Sequence, residues 1–355
     1  MRDVIRRFWT GFFICLICFM GDYANAKSQS MGFKQLPQPG GGQITVFYPS
    51  SDPETSVVQG PFRLSWASDG TPLKGNGRLI VISHGSGGSP WVHVDLARAL
   101  VEHGFIVALP QHYGDNYLDP SEPGPVSWRK RPQEVSTAID TIAGNAHLAA
   151  NLSLDAVGVF GGSAGGHTAL SLAGGLWSDQ RFKEHCDKYI AQDFSSCVGF
   201  ITLLRGNMFD GLKVWFAKQI IATRFRDGEF QHYVDPRIKA AVAMVPFAAD
   251  FLPESLANPK IALGLVIADK DVNQIPRFHV ERILDACTTR CEILMRLSDA
   301  GHGAMLSPMP PLEPGSIAHK LLSDPPSFDR EAVVPELNRR IADFFIRNLV
   351  AASKN

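Results

Sequence analysis

The sequence has almost no excess of charge of either sign. Lys and Arg number 34 and Asp and Glu number 35, so the formal net charge is -1 over 355 residues. A nucleic-acid-binding protein needs a basic face that neutralises phosphates, and this balance argues against one. A charge-driven disordered chain needs low hydrophobicity, and a hydrophobic content of 45% excludes that class too.

The sequence also lacks an apolar run at its start that is long enough to cross a bilayer. Residues 8–20 carry no charge but number only 13, whereas a membrane-spanning helix needs roughly 20. Three arginines precede this run, and the small residues Ala24 and Ala26 follow it. This is the three-part pattern of a secretory signal peptide, so we predict export to the periplasm or medium after cleavage at Ala26.

Cysteine is scarce in the remaining 329 residues, which hold Cys186, Cys197, Cys287 and Cys291. An even number of cysteines in an exported chain predicts disulfide bonds. Bonds between sequence neighbours are the simplest arrangement, and two crossed arrangements stay open. The spacing contains no Cys-x-x-Cys unit, which argues against a metal site.

Short, continuously apolar segments alternate with segments of helical periodicity along the chain. Such segments are typical of strands that are buried on both faces of a parallel sheet. Strands are predicted at 43–48, 62–66, Leu79–Ser83, 105–109, 156–160, 240–245, 261–267 and Cys291–Leu297, and helices at 92–103, 135–149, 277–286 and 335–350. The alternation predicts one α/β domain over residues 27–355, with a mostly parallel central sheet flanked by helices.

Two segments stand outside this alternation. Residues 27–42 are rich in Gly and Pro, and we expect a poorly ordered entry there. Residues 176–236 need not supply a sheet strand, and we expect an inserted lid over one edge of the sheet. Within it, 208–225 carries an apolar stripe that either lines an acyl pocket, contacts a lipid surface or packs on the domain; its members are Met208, Phe209, Leu212, Trp215, Phe216, Ile220 and Phe225.

The strongest motif is Gly-Gly-Ser-Ala-Gly at 161–165. It lies between the predicted strand 156–160 and a predicted helix that begins near Gly166. In that context a G-x-S-x-G pattern indicates a nucleophile elbow, in which the serine stands on a strained strand-to-helix turn. The flanking glycines give the backbone room for the turn. We therefore predict Ser163 as a nucleophile, against the alternative of a simple Gly-rich turn.

A serine hydroxyl needs an adjacent base, and in this type of fold the acid and the histidine follow the serine along the chain. His302 lies in a glycine-flanked loop after Cys291–Leu297 and is the predicted base. Asp271 follows the predicted strand 261–267 and is the predicted acid, which would hold the imidazole tautomer. Asp250 follows the preceding strand and stays open as the alternative acid.

The segment Ser-His-Gly-Ser-Gly-Gly at 83–88 follows a predicted strand and resembles the HGGG-type loop that contributes an oxyanion-binding N–H. We predict the backbone N–H groups of Ser86 and Ala164 as the two donors. No Lys-Ser or Lys-Thr pair follows, so the segment is not a phosphate-binding P-loop. His84 is expected to brace this loop, and His112 and His167 to be structural or pocket-lining.

Five of these segments carry a family resemblance; they are 82–88, 111–115, 161–166, 268–271 and 300–302. In them the chain resembles the bacterial α/β-hydrolases called predicted dienelactone hydrolases, a group similar to platelet-activating-factor acetylhydrolase. The resemblance implies an α/β-hydrolase fold and a serine esterase for short acyl or lipid-like esters. It implies the same triad and the same oxyanion donors. True dienelactone hydrolases have a cysteine where this chain has Ser163, which argues against that activity.

The sequence therefore predicts an exported serine carboxylic-ester hydrolase with a small-molecule or lipid ester as substrate. No cofactor, metal or nucleic acid is implied, and transient contact of the lid with a membrane surface is expected. Two alternatives stay open, a serine peptidase of the same fold and a catalytically dead hydrolase-fold binding protein. The physiological substrate, its acyl length and the oligomeric state are open as well, because one fold hosts many chemistries.

Overall fold

The computed structural model describes residues 29–351. The predicted signal peptide, residues 1–26, lies outside the described residues. The described chain forms a ten-stranded sheet with helices on both faces. Alternate residues of each central strand enter opposite cores: Leu79 and Val81 pack on one face, and Ile80 and Ile82 on the other. This period of two explains why the central strands are continuously apolar.

The strands of the described chain are numbered in chain order. They are β1 Ser30–Pro37, β2 Gln43–Ser50, β3 Thr55–Gln59, β4 Phe62–Ser68, β5 Leu79–Ser83, β6 Ile106–Pro110, β7 Val157–Gly162, β8 Leu176–Trp177, β9 Ile238–Met244, β10 Phe251–Leu252, β11 Ala262–Ala268 and β12 Cys291–Leu297. The order across the large sheet is β12-β11-β9-β7-β5-β6-β2-β1-β4-β3, and β8 and β10 form a separate pair.

The helices are likewise numbered in chain order. They are α1 Val94–Glu102, α2 Pro125–Gly144, α3 Ala146–Ala149, α4 Ala164–Leu172, α5 Asp179–Tyr189, α6 Phe194–Val198, α7 Asp210–Arg224, α8 Val280–Ala286, α9 Ile317–Leu322 and α10 Arg330–Phe345. The predicted class, an α/β fold with a mostly parallel central sheet flanked by helices, is confirmed.

Six neighbouring strands of the sheet, from β6 to β12 in the order given, are parallel. Strand β2 pairs antiparallel with β6 and with β1. The carboxyl ends of β5, β7, β11 and β12 therefore lie along one edge. Each of these ends leads directly into one of the segments that the sequence singled out, so the chain topology brings those segments together.

The prediction of a poorly ordered entry at 27–42 was wrong for half of that segment. Ser30–Pro37 is a strand that pairs along its whole length with β2, from Ser30 opposite Ser50 to Pro37 opposite Gln43. Phe33 stacks on Trp66 at 4.5 Å between ring centroids, and Gly32 leaves room for the ring of Tyr48. Strand pairing and aromatic packing thus outweigh the local Gly and Pro content. Only the turn that follows the strand has the irregular structure that this content predicts.

The four cysteines form the bonds Cys186–Cys197 and Cys287–Cys291. The prediction of disulfides is confirmed, and the pairing is the one between sequence neighbours. The first bond joins α5 to α6, and the second joins the end of α8 to the start of β12. Disulfides of this kind are consistent with an extracellular, oxidising location.

The segment 176–236 lies between α4 and β9 and contains β8 and α5–α7. Helix α5 buries Phe182 and Cys186 in the core, whereas α7 buries only Ala217 and Ile221. The larger apolar side chains Leu212, Trp215, Phe216 and Ile220 of α7 are each more than half exposed. Within residues 29–351, no helix combines the length and the apolar character needed to cross a membrane.

Candidate active site

Ser163 stands on a sharp turn between β7 and α4. Its backbone has φ 56° and ψ -117°, a left-handed conformation that costs a residue with a side chain on the order of 1–3 kcal/mol. A β-carbon on Gly161 would lie 1.8 Å from the carbonyl oxygen of Gly165, and one on Gly165 would lie 1.9 Å from that of Ser83. The glycines of the motif are therefore required by close backbone packing, which holds the serine in this conformation.

The structure brings Ser163, His302 and Asp271 into one hydrogen-bonded chain. His302 Nε2 lies 3.0 Å from Ser163 Oγ, and His302 Nδ1 lies 2.7 Å from Asp271 Oδ2. All three side chains are buried. Because the carboxylate can only accept, Nδ1 donates to it, which leaves the Nε2 lone pair to accept the serine proton. This arrangement is suited to activating the serine hydroxyl.

The acid is itself held in place by its own loop. Asp271 Oδ1 accepts hydrogen bonds from the backbone N–H groups of Asn273 and Gln274, both at 2.8 Å. One carboxylate oxygen is therefore fixed to the backbone, while the other faces His302. Such a carboxylate is held in the orientation in which it faces the imidazole.

The alternative acid, Asp250, faces a different histidine. Its Oδ2 lies 3.0 Å from His167 Nε2, and both side chains are fully buried. His167 packs between aromatic rings, 5.0 Å from that of Trp128 and 4.8 Å from that of Trp177. The geometry thus assigns Asp250 and His167 to the packing of the core, and it places Asp271 beside His302.

The 83–88 loop lies against the serine. A β-carbon on Gly85 would be 3.5 Å from Ser163 Cβ. Ser86, Ala164 and Ser163 line the same cavity. Ala164 is the first residue of α4, so its N–H has no partner inside the helix; the N–H of Ser86 has no acceptor within residues 29–351. Both residues thus bring a backbone donor to the wall of this cavity, which is what an oxyanion site needs.

Two buried histidines brace this loop, His84 from within it and His112 from the segment after β6. Burial lowers the pKa of His84 well below its usual value, and the neighbouring His112 and Arg131 lower it further. Burial and Arg131 likewise lower the pKa of His112. His112 lies 2.7 Å from Ser83 Oγ and 2.6 Å from a carboxylate oxygen of Glu134, whose pKa is raised by burial. Both imidazoles are therefore neutral near pH 7 and act as fixed hydrogen-bonding groups.

A cavity of about 980 Å³ opens in front of Ser163. Its walls come from the start of α2, from the loop before it and, above all, from the segment 176–236. The lining is predominantly apolar and includes Val126, Val198, Phe200, Ile201, Phe209, Leu212, Phe216, Ile220 and Phe225. Ligand cavities in proteins are usually about 300–1,000 Å³, so this one can accept a large apolar group.

The structure also places residues at the site that the sequence did not single out. The carboxamide oxygen of Gln274 lies 3.4 Å from Ser163 Oγ, and Asn273 lines the same cavity. Both follow Asp271 by two or three residues on a loop at the carboxyl edge of the sheet, which is the signal that could have indicated them. Arg131 contacts the 83–88 loop from α2, and only the tertiary structure reveals this contact.

A scan of the sequence against protein-family models finds no match. A search of curated proteins finds no significant similarity either. What this site does is therefore inferred from its own geometry.

Proposed function

We propose that this protein is an exported serine carboxylic-ester hydrolase of the α/β-hydrolase fold, similar to the platelet-activating-factor acetylhydrolase group. One observation carries the proposal: the chain Asp271–His302–Ser163 ends at an apolar cavity that Ser86 and Ala164 also line, and within residues 29–351 neither of these two has an acceptor for its backbone N–H. The strained turn at Ser163 and the chain order serine, acid, histidine support the same fold. The two disulfides support export.

The geometry supports acyl transfer in two steps. His302 Nε2 takes the proton from Ser163 Oγ as that oxygen attacks the ester carbonyl, and the N–H groups of Ser86 and Ala164 receive the developing oxyanion. His302 then gives the proton to the leaving alcohol. Water then attacks the acyl carbonyl and loses a proton to His302, which returns this proton to Ser163 Oγ as the carboxylic acid leaves. Asp271 stabilises the imidazolium in both steps.

The cavity favours lipid-like esters over very short ones within the proposed substrate class. Its volume of about 980 Å³ far exceeds the space that an acetyl group needs. The apolar lining would bind an acyl chain by removing it from water, at roughly 0.8 kcal/mol for each CH₂ group. We therefore expect activity to rise with chain length over the first several carbons.

The exposed side chains of the proposed lid support a further part of the proposal, that the protein contacts a lipid surface. Met208, Trp215 and Ile220 of this region are each more than half exposed. Basic side chains, among them Lys218 and Arg224, lie on the same helix. Exposed aromatic residues combined with basic residues on one helix are typical of segments that lie in a membrane interface. The enzyme would then take its ester from a membrane or micelle.

The proposal is tested with p-nitrophenyl esters of increasing chain length, on the wild type and on Ser163→Ala. We expect hydrolysis by the wild type and a loss of kcat by a factor of about 10⁴ or more in the variant. Equal activity of the two proteins would refute the assignment of Ser163.

Matched peptide amides, such as p-nitroanilides, distinguish the alternatives. Preferred cleavage of the amides would indicate the serine peptidase. Binding of esters without turnover in the wild type would indicate the catalytically dead binding protein.

A further inference from the structure

Arg131 is the most completely buried cation next to the proposed site, and it points at the backbone of the 83–88 loop. One guanidinium nitrogen donates to the carbonyl of His84, and another lies 3.4 Å from the carbonyl of Gly85 and 2.8 Å from Asp115 Oδ2. The third nitrogen donates to Ser127 Oγ at 2.8 Å. Every donor nitrogen of this side chain is thus engaged, and the planar fork suits several acceptors at once.

Asp115 connects Arg131 to the other end of the loop. Its Oδ1 accepts hydrogen bonds from Ser86 Oγ at 2.5 Å and from the N–H of Gly87 at 3.1 Å. Its Oδ2 faces Arg131. The carboxylate therefore links the guanidinium to the two residues that follow Gly85 in the loop.

The carbonyl of Gly85 is held by three donors on one side. They are Nδ1 of His84 at 2.7 Å, the N–H of Gly88 at 3.0 Å and Arg131 at 3.4 Å. The Gly85–Ser86 peptide is trans, and in a trans peptide the N–H points opposite to the carbonyl. Fixing the Gly85 carbonyl toward Arg131 therefore directs the N–H of Ser86 away from Arg131.

We infer that Arg131, together with Asp115, is a positioning residue that orients the Gly85–Ser86 peptide and so directs the Ser86 N–H at the substrate oxyanion. The inference rests on the proposed function. With the peptide rotated, the Gly85 carbonyl oxygen would face Ser163 and would repel the developing negative charge instead of stabilising it. Neutral His84 adds to the effect, because its Nδ1–H donates to the Gly85 carbonyl while its Nε2 accepts from the N–H of His112.

The test is Arg131→Lys, which keeps the positive charge but loses the planar fork. Removing one oxyanion donor outright lowers kcat by about 10²–10³-fold. For a donor that is still present but misdirected part of the time, we expect kcat for the best ester to fall about 10- to 100-fold, with KM changed by less than about threefold. A loss confined to KM would contradict a role in orienting the oxyanion donor.

Arg129→Lys is the matched control. Arg129 lies on the same helix, but it pairs with Asp179 at 2.8 Å and does not reach the 83–88 loop. We expect this variant to keep wild-type kcat and KM. Equal kcat values for Arg131→Lys, Arg129→Lys and the wild type would overturn the inference. If Arg131→Lys does not fold, Asp115→Asn, which keeps size and an acceptor oxygen, replaces it under the same criteria.

A crystal structure of Arg131→Lys separates this inference from the proposed function. We expect the Gly85–Ser86 peptide to be rotated or to occupy more than one orientation, and this readout needs no activity. Retention of the single wild-type orientation would overturn the inference even if the enzyme is an esterase. Conversely, a wild type that hydrolyses no ester would refute the proposed function, while the structure would still decide the role of Arg131.

Discussion

The 83–88 loop and helix α7 face the same cavity but are built in opposite ways. The loop is held by buried polar groups, with Arg131 and Asp115 both fully buried and mutually paired. Helix α7 buries two side chains and leaves large apolar ones in solvent, such as Trp215, which is 54% exposed. One wall is fixed by hydrogen bonds, whereas the other is apolar and weakly attached.

In the proposed function this difference separates two tasks. Hydrogen-bond donors for an oxyanion must be aimed to within a few tenths of an ångström before the substrate arrives, which buried, fully satisfied polar networks achieve. Apolar binding is non-directional, so the wall that receives an acyl chain needs area and not exact orientation. We therefore expect changes near the loop to alter kcat, and changes in α7 to alter KM and substrate range.

The largest effect is expected at the acid. Asp271→Asn should lower kcat by about 10⁴-fold, because the amide favours the wrong imidazole tautomer of His302. Asp250→Asn should keep kcat within a few-fold of wild type and should instead lower the melting temperature, since Asp250 pairs with His167 in the core. Steady-state kinetics and thermal unfolding of both variants measure this, and a larger kcat loss for Asp250→Asn would reverse the assignment of the acid.

The next largest effect is expected in α7. Phe216 lines the cavity, and Phe216→Ser should raise KM for a decanoyl ester about tenfold, equivalent to about 1.4 kcal/mol. Its kcat and its activity on an acetyl ester should change little. A comparable loss on both esters would mean that α7 affects the chemical step. The proposed division of tasks between the two walls would then be wrong.

Trp215 is the matched position on the same helix, because it is 54% exposed and does not line the cavity. Trp215→Ser should leave hydrolysis of soluble esters unchanged. It should weaken sedimentation with vesicles that contain anionic lipid by about threefold to tenfold, as the exposed ring no longer enters the interface. Unchanged sedimentation would show that this face does not contact lipid.

A smaller effect is expected in the dependence of stability on pH. Burial lowers the pKa of His93 to about 4, and it also lowers the pKa values of His84 and His112. Below about pH 6.5 the unfolded chain binds protons at these histidines and the folded chain does not, so stability declines as pH falls. Each histidine contributes a slope of up to about 1.4 kcal/mol per pH unit.

Neither ring nitrogen of His93 has a hydrogen-bond partner within the described residues. Urea unfolding at pH 7.5 and 5.5 should therefore show a smaller difference for His93→Leu than for the wild type, with ester hydrolysis unchanged. An equal pH difference in the two proteins would exclude His93 as a contributor.

Much of the fold could be predicted from local patterns of apolar residues in the sequence. The segments Leu79–Ser83 and Cys291–Leu297 were predicted with the bounds that the structure has. Leu79–Ser83 is buried on both faces, and such strands form short apolar runs. The strand Ser30–Pro37 was missed, since its stability comes from pairing with β2 and from aromatic packing. Helix α2 was predicted to begin at 135 but begins at Pro125, so Arg131 was placed outside a helix.

The sequence by itself determined which groups are present and in what chain order: a serine in a glycine-rich strand-to-helix motif, an acid and a histidine after later strands, and four cysteines. Those are local signals, because strand periodicity and turn chemistry act over a few residues. Only the tertiary structure decided that Asp271, and not Asp250, lies beside His302. It also decided that Arg131 holds a loop 47 residues away in the chain. Such contacts depend on how distant segments pack together, and no local pattern specifies that.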